Sequence, residues 1–163
     1  MILIGLGANL PSPTHGSPRQ TLEVALAVLE ACGIGIAARS RWYATAPVPA
    51  SDQPDFVNLV VALETELDPG ALLARLHAIE ESFGRVRGER NAARVLDIDL
   101  LDYNGRVDTQ WPVLPHPRMD RRAFVLVPLQ DIAPAWRHPV TARAVSELLE
   151  AAPDLAGVRL LGA

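Results

Sequence analysis

Apolar positions along this chain recur with two periods, and each change of period marks an element. Met1–Gly7 is rich in Ile and Leu and predicts a buried strand, broken by Gly7-Ala8-Asn9. Ser17-Pro18-Arg19-Gln20 then predicts a helix start, with Ser17 as N-cap, Pro18 in the first turn and Gln20 closing a capping box. Leu22, Ala25, Leu26 and Leu29 follow at helical spacing, and Gly33 ends the helix. Ile34–Tyr43 predicts a second strand, the proline-bearing stretch 45–54 a loop, and Phe56–Leu67 a third strand. Asp68-Pro69 opens a second helix, with Leu72, Leu76, Ile79 and Phe83 on one stripe and Gly84 as its stop.

The polar, Arg-rich stretch 85–93 reads as a loop, and 94–103 ("RVLDIDLLDY") as a buried strand with an acidic interruption. Asn104-Gly105 signals a hairpin returning through Arg106–Asp108. Residues 111–124 are punctuated by proline, and Val125–Leu129 is a short apolar piece. Thr141 is the expected cap of a last helix ending near Ala151, followed by a strand at 157–161. The order strand, helix, strand, strand, helix, strand predicts an α+β fold of the ferredoxin-like, split βαβ kind, with a C-terminal extension. No repeat or linker divides the chain, so one domain over 1–163 is expected.

Composition narrows the function. The net charge of −4 gives no general attraction for nucleic acid or an anionic membrane. One cysteine, Cys32, excludes an intrachain disulfide, and no run reaches membrane-spanning length, so a cytoplasmic protein is expected. All 15 basic residues are arginine, which excludes a lysine-dependent phosphate loop and leaves phosphate recognition to guanidinium groups.

The acidic interruption carries the chemistry. Residues two apart in a strand share a face, so Asp97 and Asp99 converge while Leu96, Ile98 and Leu100 face the other way. Two like charges in a strand bound for the core are costly without cations. Surface ion pairs with arginine would satisfy them; so would Mg²⁺, which takes one or two carboxylates and completes its shell with water and substrate phosphates. By the same parity Asp102 falls on the opposite face. Seven arginines flank the strand: Arg85, Arg87, Arg90 and Arg94 before it, Arg118, Arg121 and Arg122 after it. An acidic chain that gathers them there suits a compact triphosphate better than a long polyanion. His116, between Pro115 and Pro117, suits a positioned donor for a phosphate or a base, though a loop histidine alone is more often incidental. Asn58, a polar residue inside an apolar strand, can read a heterocycle edge with its amide, and Phe56 on the same face can stack on that ring.

These motifs resemble a known family. "DQPDFVNLVVALET", "GRVRGERNAARVLDIDLL" and "LPHPRMDRRAFVLVPLQDIAP", after Gly7-Ala8-Asn9-Leu10, are similar in content and order to the 6-hydroxymethyl-7,8-dihydropterin pyrophosphokinases of folate biosynthesis. The resemblance implies transfer of pyrophosphate from ATP to the pterin hydroxymethyl group, releasing AMP. It implies that Asp97 and Asp99 hold two Mg²⁺ ions with ATP, and that Arg85 and Arg94 stabilise the migrating phosphates. It places Glu80, His116 and Arg122 at ATP, and Thr45, Val48, Phe56, Asn58 and Phe124 around the pterin. The chain departs from the family pattern at Asn91, where many members carry tryptophan, and at Phe56, which replaces a frequent tyrosine. The expected partners are ATP and the pterin, with no nucleic acid or membrane, and the expected state is a monomer. Two other readings are a metal-dependent nucleotidyl enzyme on the same fold and a non-catalytic ferredoxin-like binding module. Asn58 with its flanking aromatics discriminates against the first, and the acidic charge and thin aromatic content argue against RNA binding by the second.

Overall fold

The computed structural model describes residues 1–84 and 94–162. Strand β1 (Ile2–Ala8) runs through the middle of the sheet, antiparallel both to β4 (Phe56–Glu64) and to β5 (Asp97–Tyr103). Beyond β4 lie β2 (Gly35–Arg39) and β3 (Tyr43–Thr45), which pair with successive parts of it, and β6 (Val158–Leu160), which pairs with β3. The strand order is therefore β5-β1-β4-β3-β6, with β2 also on β4, and every pairing is antiparallel.

Both faces of the sheet carry helices. Helices α1 (Pro18–Ala31) and α2 (Pro69–Ser82) pack on one face, burying Leu22, Leu29, Leu72 and Leu76 completely against Ile4, Val61 and Ile98. Each such leucine contributes about 2 kcal/mol relative to exposure. The capping signals hold: Ser17 and Gln20 form the reciprocal box, and the Asp68 side chain accepts from Ala71 N. Helices α3 (Ala123–Ile132) and α4 (Val145–Ala151) cover the second face, around Leu3, Val60 and Leu101. Among the described residues no helix is long and apolar enough to cross a membrane.

Five local expectations are corrected. The second predicted strand is two strands, because at Ser40 the chain turns: the Ser40 hydroxyl accepts from Val60 N at 3.0 Å, and Arg41 leaves the ladder for Asp131. The apolar piece Val125–Leu129 is the middle of α3, whose Pro128 hid a helix that is buried on most sides. Thr141 caps nothing. Its backbone N–H, with that of Val140, donates to His138 Nδ1, and α4 begins after Ala144. Asn104 and Gly105 do turn, with φ of 52° and 73°, but Asn104 N then donates to Met1 O and no return strand follows. The fifth correction is in β5. Between the pairs Leu3–Asp102 and Ile4–Leu100 the register slips by one residue at Leu101. This bulge turns Asp102 onto the face that carries Asp97 and Asp99, where parity had put it on the other. Asp102 is buried and structural there, accepting from Trp136 Nε1 at 2.8 Å and from Gly105 N at 3.0 Å.

Candidate active site

The second face of the sheet is open where β1 has no side chains. Along β1, Ile2, Ile4 and Leu6 point into the α1–α2 core, and the other face receives Leu3, then Gly5 and Gly7. Gly7 lies in register between Asn58 on β4 and Asp97 on β5, and Gly5 between Val60 and Asp99. The amide and the carboxylates therefore stand on either side of a backbone floor, about 10 Å apart across two strand spacings. The close approach needs glycine at position 7, where a Cβ would lie 2.5 Å from Asn58 Oδ1.

A cavity of about 410 Å³ rests on this floor. At its carboxylate end are Arg94, Asp97, Asp99, His116, Arg118, Arg121 and Arg122. Asp97 and Asp99 share the face that the spacing predicted, but neither is sealed in the core: their side chains are 23% and 33% exposed. Arg94 Nη1 pairs with Asp97 Oδ1 at 2.8 Å. His116 Nε2 and Arg122 Nη1 each stand 3.9 Å from an oxygen of Asp99. The positive charge is thus already assembled around the pair.

The surroundings fix these groups. Buried Asn9 clamps Arg94: its Oδ1 accepts from Arg94 N at 2.9 Å, and its own N–H donates to Arg94 O at 3.1 Å. His116 N donates to Leu101 O at 2.8 Å, tying the proline-rich segment to β5. His116 Nδ1 accepts from Arg118 N at 3.2 Å, so in the neutral ring the proton sits on Nε2, facing Asp99. Burial, and then the charges of Arg122 and Arg118, push the His116 pKa down to about 4, so the ring is a neutral donor at pH 7. Burial also lowers the pKa of Arg122, with Arg118 acting in the same direction, yet its guanidinium stays cationic.

The other end of the cavity is lined by Thr45, Val48, Phe56, Asn58 and Phe124. Asn58 and Thr45 are buried, and Asn58 Nδ2 donates to Thr45 Oγ1 at 2.6 Å. That bond orients the amide. Val48 is exposed at the rim, and the Arg122 guanidinium carbon lies 5.3 Å from the centre of the Phe124 ring.

Ten of the expected site residues therefore line one cavity: Thr45, Val48, Phe56, Asn58, Arg94, Asp97, Asp99, His116, Arg122 and Phe124. Glu80 does not line it. It is 2% exposed on α2, and its Oε2 accepts from Ile98 N at 2.8 Å, next to both aspartates in the chain. Arg85 lies outside the described residues. Sequence reasoning missed the floor glycines, the Asn9 clamp and the wall formed by Pro153 and Asp154. The first two lay in plain view in "GLGANL", as glycines two apart in a strand followed by a buried amide.

The donor set suits a hard cation that brings its own ligands. Among the described residues no three His, Cys, Asp or Glu side chains cluster as a metal cage. Two partly exposed carboxylates with arginines beside them are a donor set that Mg²⁺ carried with a polyphosphate would fit.

Comparison with known proteins identifies the family. The model of the 7,8-dihydro-6-hydroxymethylpterin-pyrophosphokinase family matches residues 3–134. A 2-amino-4-hydroxy-6-hydroxymethyldihydropteridine pyrophosphokinase of Pseudomonas aeruginosa is 41% identical over 99% of this chain and 98% of its own. One from Methylorubrum extorquens is 45% identical over 80% of this chain and 81% of its own. In fold, the chain is similar to a Plasmodium falciparum HPPK-DHPS crystallised with pteroate, at a TM-score of 0.71 and 16% identity. That likeness covers 90% of this chain and 43% of the Plasmodium one. With the family model matching most of its length and near full-length relatives of the same name, this chain belongs to the 7,8-dihydro-6-hydroxymethylpterin-pyrophosphokinase family and is a diphosphotransferase.

Proposed function

We propose that the chain transfers pyrophosphate from ATP to the hydroxymethyl group of 6-hydroxymethyl-7,8-dihydropterin, with Mg²⁺, in folate biosynthesis. One observation carries this reading. A single cavity joins an amide-and-aromatic end to a carboxylate-and-arginine end across a side-chain-free floor. The pterin edge presents donors and an acceptor that the Asn58 amide can match, and Phe56 and Phe124 offer faces for its ring. The substrate hydroxyl is thereby directed toward the aspartates, where the triphosphate lies. The hydroxyl oxygen bonds to the β-phosphorus as the bond from that phosphorus to the α-phosphate oxygen breaks, the hydroxyl proton is lost, and AMP leaves.

This chain's part is positioning and charge. Arg122 and the Nε2–H of His116 donate to phosphate oxygens, and Arg94, paired with Asp97, adds its charge beside them. Asp97 and Asp99 would hold the Mg²⁺, which when bound offsets the charge on those oxygens. Glu80 acts one step back, through the backbone of β5. Arg85 joins Arg94 as the second phosphate-stabilising arginine of this reading. The sheet order β5-β1-β4, with β2 beyond β4, supports a ferredoxin-like core for this one-domain enzyme.

The test is direct. Incubation with ATP, Mg²⁺ and the hydroxymethyldihydropterin is expected to release AMP and form the pterin diphosphate, with chelation of the metal stopping both. Release of ADP, or no product, overturns the proposal.

A further inference from the structure

The C-terminal segment joins the two walls of the acceptor end. Helix α3 has no capping side chain of its own, because its N-cap residue is Arg122. Instead, Ala123 N donates to the Asp154 carboxylate, 3.0 Å from Oδ1 and 3.2 Å from Oδ2, from 31 positions along the chain. A carboxylate suits that place, since the free N–H and the positive end of the helix dipole both favour it. Three residues later Gly157 O accepts from Ala46 N at 3.3 Å, and Val158 is in register with Thr45. Pro153 and Asp154 themselves line the cavity. One short run of chain therefore ties Phe124, at the start of α3, to the Thr45–Val48 wall at the end of β3.

The carboxylate end is held by other means. Asp97 and Asp99 are fixed by the pairing of β5 with β1, His116 by Leu101 O, and Arg94 by Asn9. Arg122 is shared between the helix start and that end.

We infer that Asp154 is a positioning residue for the acceptor: it sets the separation of Phe124 from Thr45–Val48, and so the fit of a flat ring between them. The inference rests on the acceptor proposed above. In steady-state AMP release by the full chain, Asp154→Ala is expected to raise the KM for the pterin at saturating Mg·ATP about fivefold, the size of a lost helix cap, and to change the KM for ATP less than about twofold. Asp154→Asn keeps an oxygen for the Ala123 N–H and is expected to recover most of the loss. Asp154→Glu keeps the charge on an arm one methylene longer. It is expected to fold and to bind the pterin more weakly than the Asn variant, and it carries the test if the Ala variant fails to fold. A fall in Tm with an unchanged pterin KM, or equal losses for both substrates, overturns the inference. A wild-type chain that releases no AMP refutes the proposed reaction instead, and that is known before any variant is made.

Discussion

Gly7→Ala is the smallest change that separates the floor of the site from its chemistry. The added Cβ would stand 2.5 Å from Asn58 Oδ1, where ordinary contact begins at 3.4 Å, so the amide must retreat by 0.9 Å. Asn58 is buried and holds Thr45 Oγ1 at 2.6 Å, so it cannot move far and keep that bond. Loss of a buried side-chain hydrogen bond costs roughly 1–3 kcal/mol, about 5- to 150-fold in an equilibrium constant. Replacing glycine at an ordinary backbone angle returns about 0.4–1 kcal/mol through the unfolded chain, so stability falls only modestly while acceptor binding takes the displacement in full. The assay is the KM for the pterin at saturating Mg·ATP, beside the Tm. Gly5→Ala is the steric control for the fold, because its Cβ would meet Leu101 Cδ1 at 3.5 Å, an ordinary contact. A Gly7→Ala enzyme with the wild-type pterin KM, or a structure of it with the Asn58–Thr45 bond intact, would refute the reasoning.

Other outcomes are expected from the same geometry. Asp97→Asn and Asp99→Asn should each abolish AMP release and weaken Mg·ATP binding while leaving the far-ultraviolet spectrum unchanged; full turnover in either removes the metal assignment. Asn58→Ala should raise the pterin KM far more than that for ATP, and equal changes count against its reading role. The folded pKa of His116, about 4, lies below the ordinary 6.5. Between those values the unfolded chain binds the extra proton, so stability should fall as pH drops from 6.5 to 4, by at most about 3 kcal/mol, and His116→Asn should flatten that slope in denaturant titrations. Burial raises the Asp131 carboxyl, but hydrogen bonds from Arg41 and Tyr43 outweigh it and leave its pKa below the ordinary carboxylate value. Its contribution is present above that ordinary value and lost as pH falls through the folded one, so the difference in Tm between wild type and Asp131→Asn should vanish in strong acid.

Local signals in the sequence were read correctly where one residue type has one physical use. Ser17 and Asp68 opened α1 and α2 because a short oxygen before a proline and an apolar stripe has few other roles. Asp97 and Asp99 shared a face because strand parity holds until something breaks it. Three expectations fail, each for its own reason. Arg41 turns out of the sheet because Asp131, 90 positions away, accepts three of its N–H groups. Asp102 changed faces at a bulge that no local pattern announces. Helix α3 was unreadable because a helix buried on most sides has no polar stripe, and Pro128 argued against it. The resemblance places Glu80 at the nucleotide; in the structure its carboxylate, on α2, accepts from the backbone of β5.

The glycine floor also bears on inhibition. A compound seated on the backbone of Gly5 and Gly7 makes contacts that no side-chain exchange at those positions can remove. A variant could evade it there only by adding bulk, and bulk at position 7 strikes the amide that holds the acceptor. At Gly7 escape and catalysis are thus opposed at the same atom, which marks that end of the floor, rather than Gly5, as the place where resistance would be slowest to arise.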